Sequence, residues 1–169
     1  MTMQQQVVIV GGGVIGLLTA FNLASEVHSV VLLDRASVGQ EASWAGGGIV
    51  SPLYPWRYSP AVTALAHWSQ DFYPQLGERL FASTGVDPEV HVTGLYWLDL
   101  DDEAQALEWA EREGRPLRAV DISAVHDAVP VLGSGFSRAI YMADVANVRN
   151  PRLVKSLKAA LQALPNVTI

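Results

Sequence analysis

The hexapeptide Gly11-Gly12-Gly13-Val14-Ile15-Gly16 constrains this chain more than any other feature. Before it stands a β-branched run, Val7-Val8-Ile9-Val10. After it, Val14, Leu17, Leu18 and Phe21 recur at the i, i+3, i+4, i+7 spacing of a helix. A second β-branched run, Ser29 to Leu33, ends at Asp34. The order strand, glycine turn, helix, strand predicts a βαβ unit whose first strand is buried on both faces. Asp34 falls 18 residues beyond Gly16, close to the ~20 of the G-x-G-x-x-G dinucleotide fingerprint. Each position then has a physical task. Gly11 permits the tight turn, Gly13 lets the backbone approach a pyrophosphate, and Gly16 lets the helix pack close to the strand. Backbone N–H groups around Val14 and Ile15, at the positive end of the helix dipole, face the phosphates. A carboxylate at Asp34 accepts both hydroxyls of an adenosine ribose and repels a 2′-phosphate, which selects against NADP.

Composition decides how the first 25 residues are read, because none of them is charged. A signal peptide needs a basic leading segment, and Met1 to Gln6 has no Lys or Arg. A membrane span needs ~20 predominantly apolar residues, whereas three glycines, Thr19 and Asn22 interrupt this stretch. A buried α/β nucleus accounts for the interruption. With 50% hydrophobic and 17% charged residues, the 169-residue chain is not a disordered tail. A net charge of −6 without a basic block excludes nucleic acid as the main partner. The absence of cysteine excludes disulfides, thiolate metal sites and a Cys nucleophile. His28, His67, His91 and His126 lack paired metal-ligand spacing, and no G-x-S-x-G elbow occurs. No metal ligand and no catalytic residue is assigned.

Beyond Asp34-Arg35 the chain stays poor in charge through Ala42-Ser43-Trp44-Ala45-Gly46-Gly47-Gly48-Ile49-Val50, and three prolines then mark an irregular loop from Ser51 to Pro60. Ser59 as N-cap with Pro60 at the first position opens a long helix, with Leu65, Trp68, Phe72, Leu76 and Leu80 as its apolar stripe and an end near Thr84-Gly85. Val90 to Leu100 reads as strands bent at Thr93-Gly94. The acids Asp99, Asp101, Asp102 and Glu103 suit a helix start capped by Asp101 better than a cation loop. Strands are expected at Leu117–Val120 and Ala139–Met142, and a short helix at Ile122–Val129. A last helix starts at Asn150-Pro151 and stops at Pro165, before a strand beginning at Asn166.

Val7 to Arg35, with Ala20, Leu23 and the pair Asp34-Arg35, resembles the FAD-binding form of the Rossmann fingerprint. Taken with Glu41 to Gly48 and Val148 to Val154, it resembles the D-amino acid oxidase family, whose N-terminal half the 169 residues follow in order. The resemblance implies an α/β fold: a Rossmann-like FAD-binding βαβ nucleus with an inserted α+β substrate-domain segment, truncated in this chain. Residues 1–59 would be the first part of the FAD-binding domain, 60–146 the substrate-domain segment, and 147–169 an incomplete return. It implies non-covalent FAD, a small amine or amino acid substrate oxidised to its imine, and O2 reduced to H2O2, with hydride passing from the substrate Cα to flavin N5. A cytoplasmic location and a homo-oligomer of the full-length form go with it. By position, Gly11, Gly13, Val14, Ile15 and Gly16 would hold the pyrophosphate and Asp34, beside Arg35, the adenosine ribose. Ser43 and the backbone of Ala45, Gly46, Gly47 and Gly48 would line the ribityl–flavin region, and Ile49 to Tyr54 would approach the substrate. The family holds the substrate carboxylate with an arginine of its C-terminal half. Arg57 therefore reads as an exposed loop arginine, and the 169 residues alone are expected to be inactive. Two other readings stay open, an NAD-dependent dehydrogenase domain and a non-catalytic nucleotide-binding fragment. The glycine loop so soon after Asp34-Arg35 favours FAD over NAD.

Overall fold

The computed structural model describes residues 5–169. In chain order its elements are β1 (Gln6–Val10), α1 (Val14–Leu23), β2 (Ser29–Leu33), α2 (Ala42–Ala45), β3 (Ile49–Val50), α3 (Pro60–Thr84), β4 (His91–Val92), β5 (Leu95–Leu98), α4 (Glu103–Glu113), β6 (Leu117–Val120), α5 (Ile122–Ala128), β7 (Ala139–Met142), β8 (Ala146–Asn147), α6 (Asn150–Gln162) and β9 (Val167–Thr168). A 3-10 turn spans Pro55–Arg57. The chain forms two compact units. The first comprises Met1–Gly48, Tyr73–Val90 and Val148–Ile169, the second Ile49–Phe72 and His91–Asn147.

In the first unit β1, β2 and β9 form a parallel sheet in the order β1-β2-β9, with Val7 opposite Val30, Val10 opposite Leu33, and Val30 opposite Val167. Helix α1 packs on α6, and Leu17 and Ala20 of the one and Leu153, Leu157 and Leu161 of the other are all buried. Those three leucines recur every four residues, so they line one face of α6. The Asn166 amide donates to the carbonyls of Ala24 (2.8 Å) and Val27 (3.3 Å), which ties the start of β9 to the α1–β2 connection. The first strand departs from expectation. Val8 is 56% and Val10 84% exposed, because they share the face of β1 opposite the partly buried Val7 and Ile9, and among the described residues that face has no cover.

In the second unit β3, β8 and β4 pair antiparallel in the order β3-β8-β4, and β5, β7 and β6 in the order β5-β7-β6. The core gathers Trp56, Trp97 and Trp109 with Ala106, Ile140 and Met142. Trp56 meets Trp97 edge to face with ring centroids 5.4 Å apart. Buried indoles need acceptors, and both are supplied: Trp97 Nε1 donates to the Leu53 carbonyl (2.8 Å) and Trp56 Nε1 to Asp102 Oδ2 (2.7 Å).

Two expectations are corrected here. The N-cap residue of α4 is Asp102, not Asp101, and its carboxylate does not cap the helix. It accepts instead from Trp56 and, bidentate, from Arg57 Nε (2.7 Å) and Nη2 (2.8 Å). Asp99 is likewise spent on the Ser137 and Arg138 backbone N–H groups and the Ser137 hydroxyl. The acidic cluster is thus divided between two loop anchors. The second correction concerns the start of α3, where Leu65 (72%) and Trp68 (65%) are exposed and Trp68 stacks on Phe72. The buried residues on that stretch include Thr63 and Gln70. The reason is polar: Gln70 Oε1 accepts from Arg115, which pairs with Asp144. These contacts turn Gln70 inward at the expense of the apolar stripe, although Gln70 Nε2, Arg115 Nε and Asp144 Oδ1 are left without partners among the described residues. Burial, together with the Arg115 charge, pushes the His67 pKa down despite the opposing Glu113, Asp144 and Asp71.

Leu157→Ala opens a cavity in the α1–α6 contact and is expected to lower stability by about 2–5 kcal/mol in chemical denaturation. The Arg57 and Trp56 donors hold the Asp102 carboxyl well below the usual carboxylate range. A carboxyl lowered on folding contributes stability above its unfolded value of 3.8, lost as pH falls through the folded value. Urea denaturation should therefore show stability dropping as pH is taken below 3.8. Asp102→Asn should be less stable at pH 7 and show a shallower acid slope.

Candidate functional site

The site is built where β1 turns into α1. Gly11 has φ +108°, a region that side chains avoid, and its N–H donates to the Leu33 carbonyl (2.7 Å) at the end of β2. Gly16 is required for a different reason. A Cβ there would run into the Gly11 carbonyl oxygen and stand 3.4 Å from Ile9 Cγ2. Gly13 is extended, with φ −72° and ψ −178°, so any residue could adopt its backbone. A Cβ on it would meet only Ser43 Oγ, at 3.1 Å, so its lack of a side chain leaves the start of α1 open to approach.

Asp34 is wired into the same turn. Its Oδ2 accepts from the Gly12 N–H (2.7 Å) and its Oδ1 from the Ala36 N–H (2.9 Å). These two backbone bonds, Ala36 first, hold its carboxyl below the ordinary range, so it is an anion at neutral pH. A carboxylate has about four lone-pair directions, and these bonds use two. An open cleft of about 370 Å³ adjoins it, lined by Val10, Gly11, Leu33, Asp34, Arg35 and Glu41. Arg35, expected beside Asp34 at a ligand, is engaged by Glu41 (2.7 Å) at the rim of this cleft.

The first turn of α1 bears no acidic residue. Val14 N–H donates to Ser43 Oγ (2.8 Å), while the N–H groups of Gly13 and Ile15 have no acceptor among the described residues. Ser43, carried by α2, therefore sits against the glycine turn. The loop after Ala45 also reads differently once folded. A Cβ on Gly46 would overlap the Asn150 amide nitrogen, and one on Gly48 (φ +73°) would overlap the Val148 carbonyl, whereas Gly47 meets nothing within 4 Å. Gly46 and Gly48 answer to the protein, and only Gly47 stays open. Asn150 is a neighbour of the site that the sequence reading did not place there: Asn150-Pro151 marks a helix start, and Val148 to Val154 carries the family resemblance without a role for Asn150. Ile49 to Tyr54 belong to the second unit. There Arg57 is committed to Asp102 and stacks over Tyr54, 4.1 Å from the ring centroid.

Unpaired N–H groups at a helix start suit a pyrophosphate, and an ionised acceptor beside an open cleft suits ribose hydroxyls, so these residues fit an adenine dinucleotide. The fold and this turn define a dinucleotide-binding α/β protein. A family model for FAD dependent oxidoreductases (DAO) matches residues 6–169, and the chain belongs to that family, whose cofactor is FAD. It is similar to glycine oxidase of Pseudomonas putida, 83% identical over 167 residues, which are 99% of this chain and 46% of that protein. It is 65% identical to glycine oxidase of Pseudomonas aeruginosa over the same shares. The chain thus spans under half the length of these curated relatives. Among solved structures it resembles glycine oxidase from Bacillus cereus, with a TM-score of 0.84 and 29% identity over 97% of this chain and 45% of that one. Glycine oxidase from Geobacillus kaustophilus gives the same TM-score over 95% and 45%. Among the described residues no helix is long and apolar enough to cross a membrane.

Gly16→Ala forces α1 off the Gly11 carbonyl and is expected to cost about 1–3 kcal/mol or more. Gly47→Ala, in open space, should leave the melting temperature unchanged in the same thermal scan.

Proposed function

We propose that this chain supplies the FAD-binding part of a glycine oxidase-like enzyme that oxidises a small amino acid to its imine while O2 becomes H2O2. The observation that carries the reading is the open approach at Gly13, with unpaired N–H groups on Gly13 and Ile15 and the ionised Asp34 held beside the same turn. In this reading the Gly13–Gly16 turn receives the pyrophosphate and Asp34 accepts the adenosine ribose hydroxyls. Ser43 Oγ accepts from the Val14 N–H, so its hydroxyl hydrogen stays free for a phosphate oxygen. Gly47 offers backbone without a side chain to the ribityl–flavin portion. FAD held there would supply the hydride acceptor for the substrate Cα and the means of passing the electrons to O2.

The identity to glycine oxidases supports glycine or a similarly small amine as substrate. Arg57 is not a carboxylate clamp in this reading, because Asp102 already takes its bidentate face. Substrate binding then needs residues beyond these 169, and the chain alone binds FAD without turning over. The same family likeness carries the proposal that the imine serves thiazole assembly for thiamine, in the cytoplasm and in a homo-oligomer.

Titration of the purified chain with FAD tests this. Quenching of flavin fluorescence and a retained visible flavin spectrum after desalting are expected. Gly13→Val should abolish uptake, and Asp34→Asn should weaken it roughly tenfold by removing a charge-assisted acceptor. A chain that takes up no flavin refutes the assignment. Peroxide released with glycine, sarcosine or D-alanine by the 169 residues alone would refute their inactivity.

A further inference from the structure

Gly46 and Gly48 lie about a hundred residues from α6 in sequence, yet both pack on its first turn. The Asn150 Nδ2 occupies the volume that a Gly46 Cβ would need, and Oδ1 stands 3.5 Å from the place of a Gly48 Cβ. Gly48 is also fixed through its carbonyl, which accepts the Val148 N–H at 2.8 Å. The two contacts differ in kind. Val148 presents rigid backbone, whereas Asn150 presents the tip of a side chain.

That tip has no bond of its own. Asn150 is half-buried, and among the described residues no hydrogen bond uses its amide. It does not cap α6, whose N-cap residue is Arg149 and whose first turn has no side-chain cap. The amide is not sealed from water, so its donor and acceptor stay available to a ligand at the two glycines. We infer that Asn150 is a positioning residue for the flavin. It holds the Gly46–Gly48 loop by contact in the path that leaves Gly47 open, and its unspent amide is the hydrogen-bonding group offered to the cofactor. The inference rests on the FAD reading above.

The test uses the full chain with N150A, N150D, G46A, the N150A/G46A double variant and G48A. Three quantities are measured: apo melting temperature, FAD dissociation constant, and the visible spectrum of bound flavin. N150A is expected to weaken FAD about tenfold and to shift the flavin band. G46A evicts the amide and should do the same. The double variant should be no worse than either single, because both remove one contact. N150D keeps the shape but replaces the donor with an anion, so it should keep the apo melting temperature while losing affinity, a split that packing alone would not produce. G48A collides with the Val148 carbonyl and should fail whichever residue stands at 150. Unchanged affinity and spectrum in both N150A and N150D overturns the inference, as do N150A and G46A effects that multiply. Should N150A not fold, N150D carries the test. A wild-type chain that takes up no FAD overturns the functional reading and this inference together. Wild-type uptake with indifferent Asn150 variants overturns this inference alone.

Discussion

The first turn of α1 rests on the carbonyl of Gly11, so close that position 16 has no room for a single carbon atom. The rest of the nucleotide unit depends on that contact. It aims the helix start at the space beyond β1, and the Gly11 N–H locks the same turn to the end of β2. Asp34 then closes the arrangement, because its two oxygens bind backbone on either side, at Gly12 and at Ala36. Helix start and acid are thereby one rigid piece made almost wholly of backbone atoms. Such a piece binds with little ordering cost, since few rotatable groups have to be fixed when a ligand arrives.

What could be read in the sequence was what is local. The glycine turn, β1, α1, β2 and the span of α3 each carry their signal within a short window, and each was found within a residue or two of its place. The glycine loop shows the limit. Three consecutive glycines read as a single permissive stretch, but two of them face Asn150 and Val148, and nothing near residue 46 announces residues 148 and 150. Two-residue strands such as β8 carry no periodicity, so they are defined only by their partners.

Charge was misread for a related reason. A carboxylate just before a helix is ordinarily a cap, yet Asp102 found three donors on Trp56 and Arg57. A bidentate guanidinium with an indole N–H outcompetes the weaker local backbone bond. The N-terminal half of α3 followed the same logic, turning Gln70 inward toward Arg115 and leaving Leu65 and Trp68 outside. Hydrophobic periodicity ranks faces by apolar area and does not register a buried polar network.

The division of the first unit into three separated stretches has a consequence for how it is made. During synthesis β1, α1 and β2 emerge early, but α6, which covers α1, and β9, which pairs with β2, follow more than a hundred residues later. Until then α1 lacks the helix it packs on and the outer edge of β2 has no partner. Long-range closure of this kind is slow and leaves strand edges open to other chains. The order of its parts thus leaves the nascent nucleotide unit with an unpaired strand edge while more than a hundred residues are made.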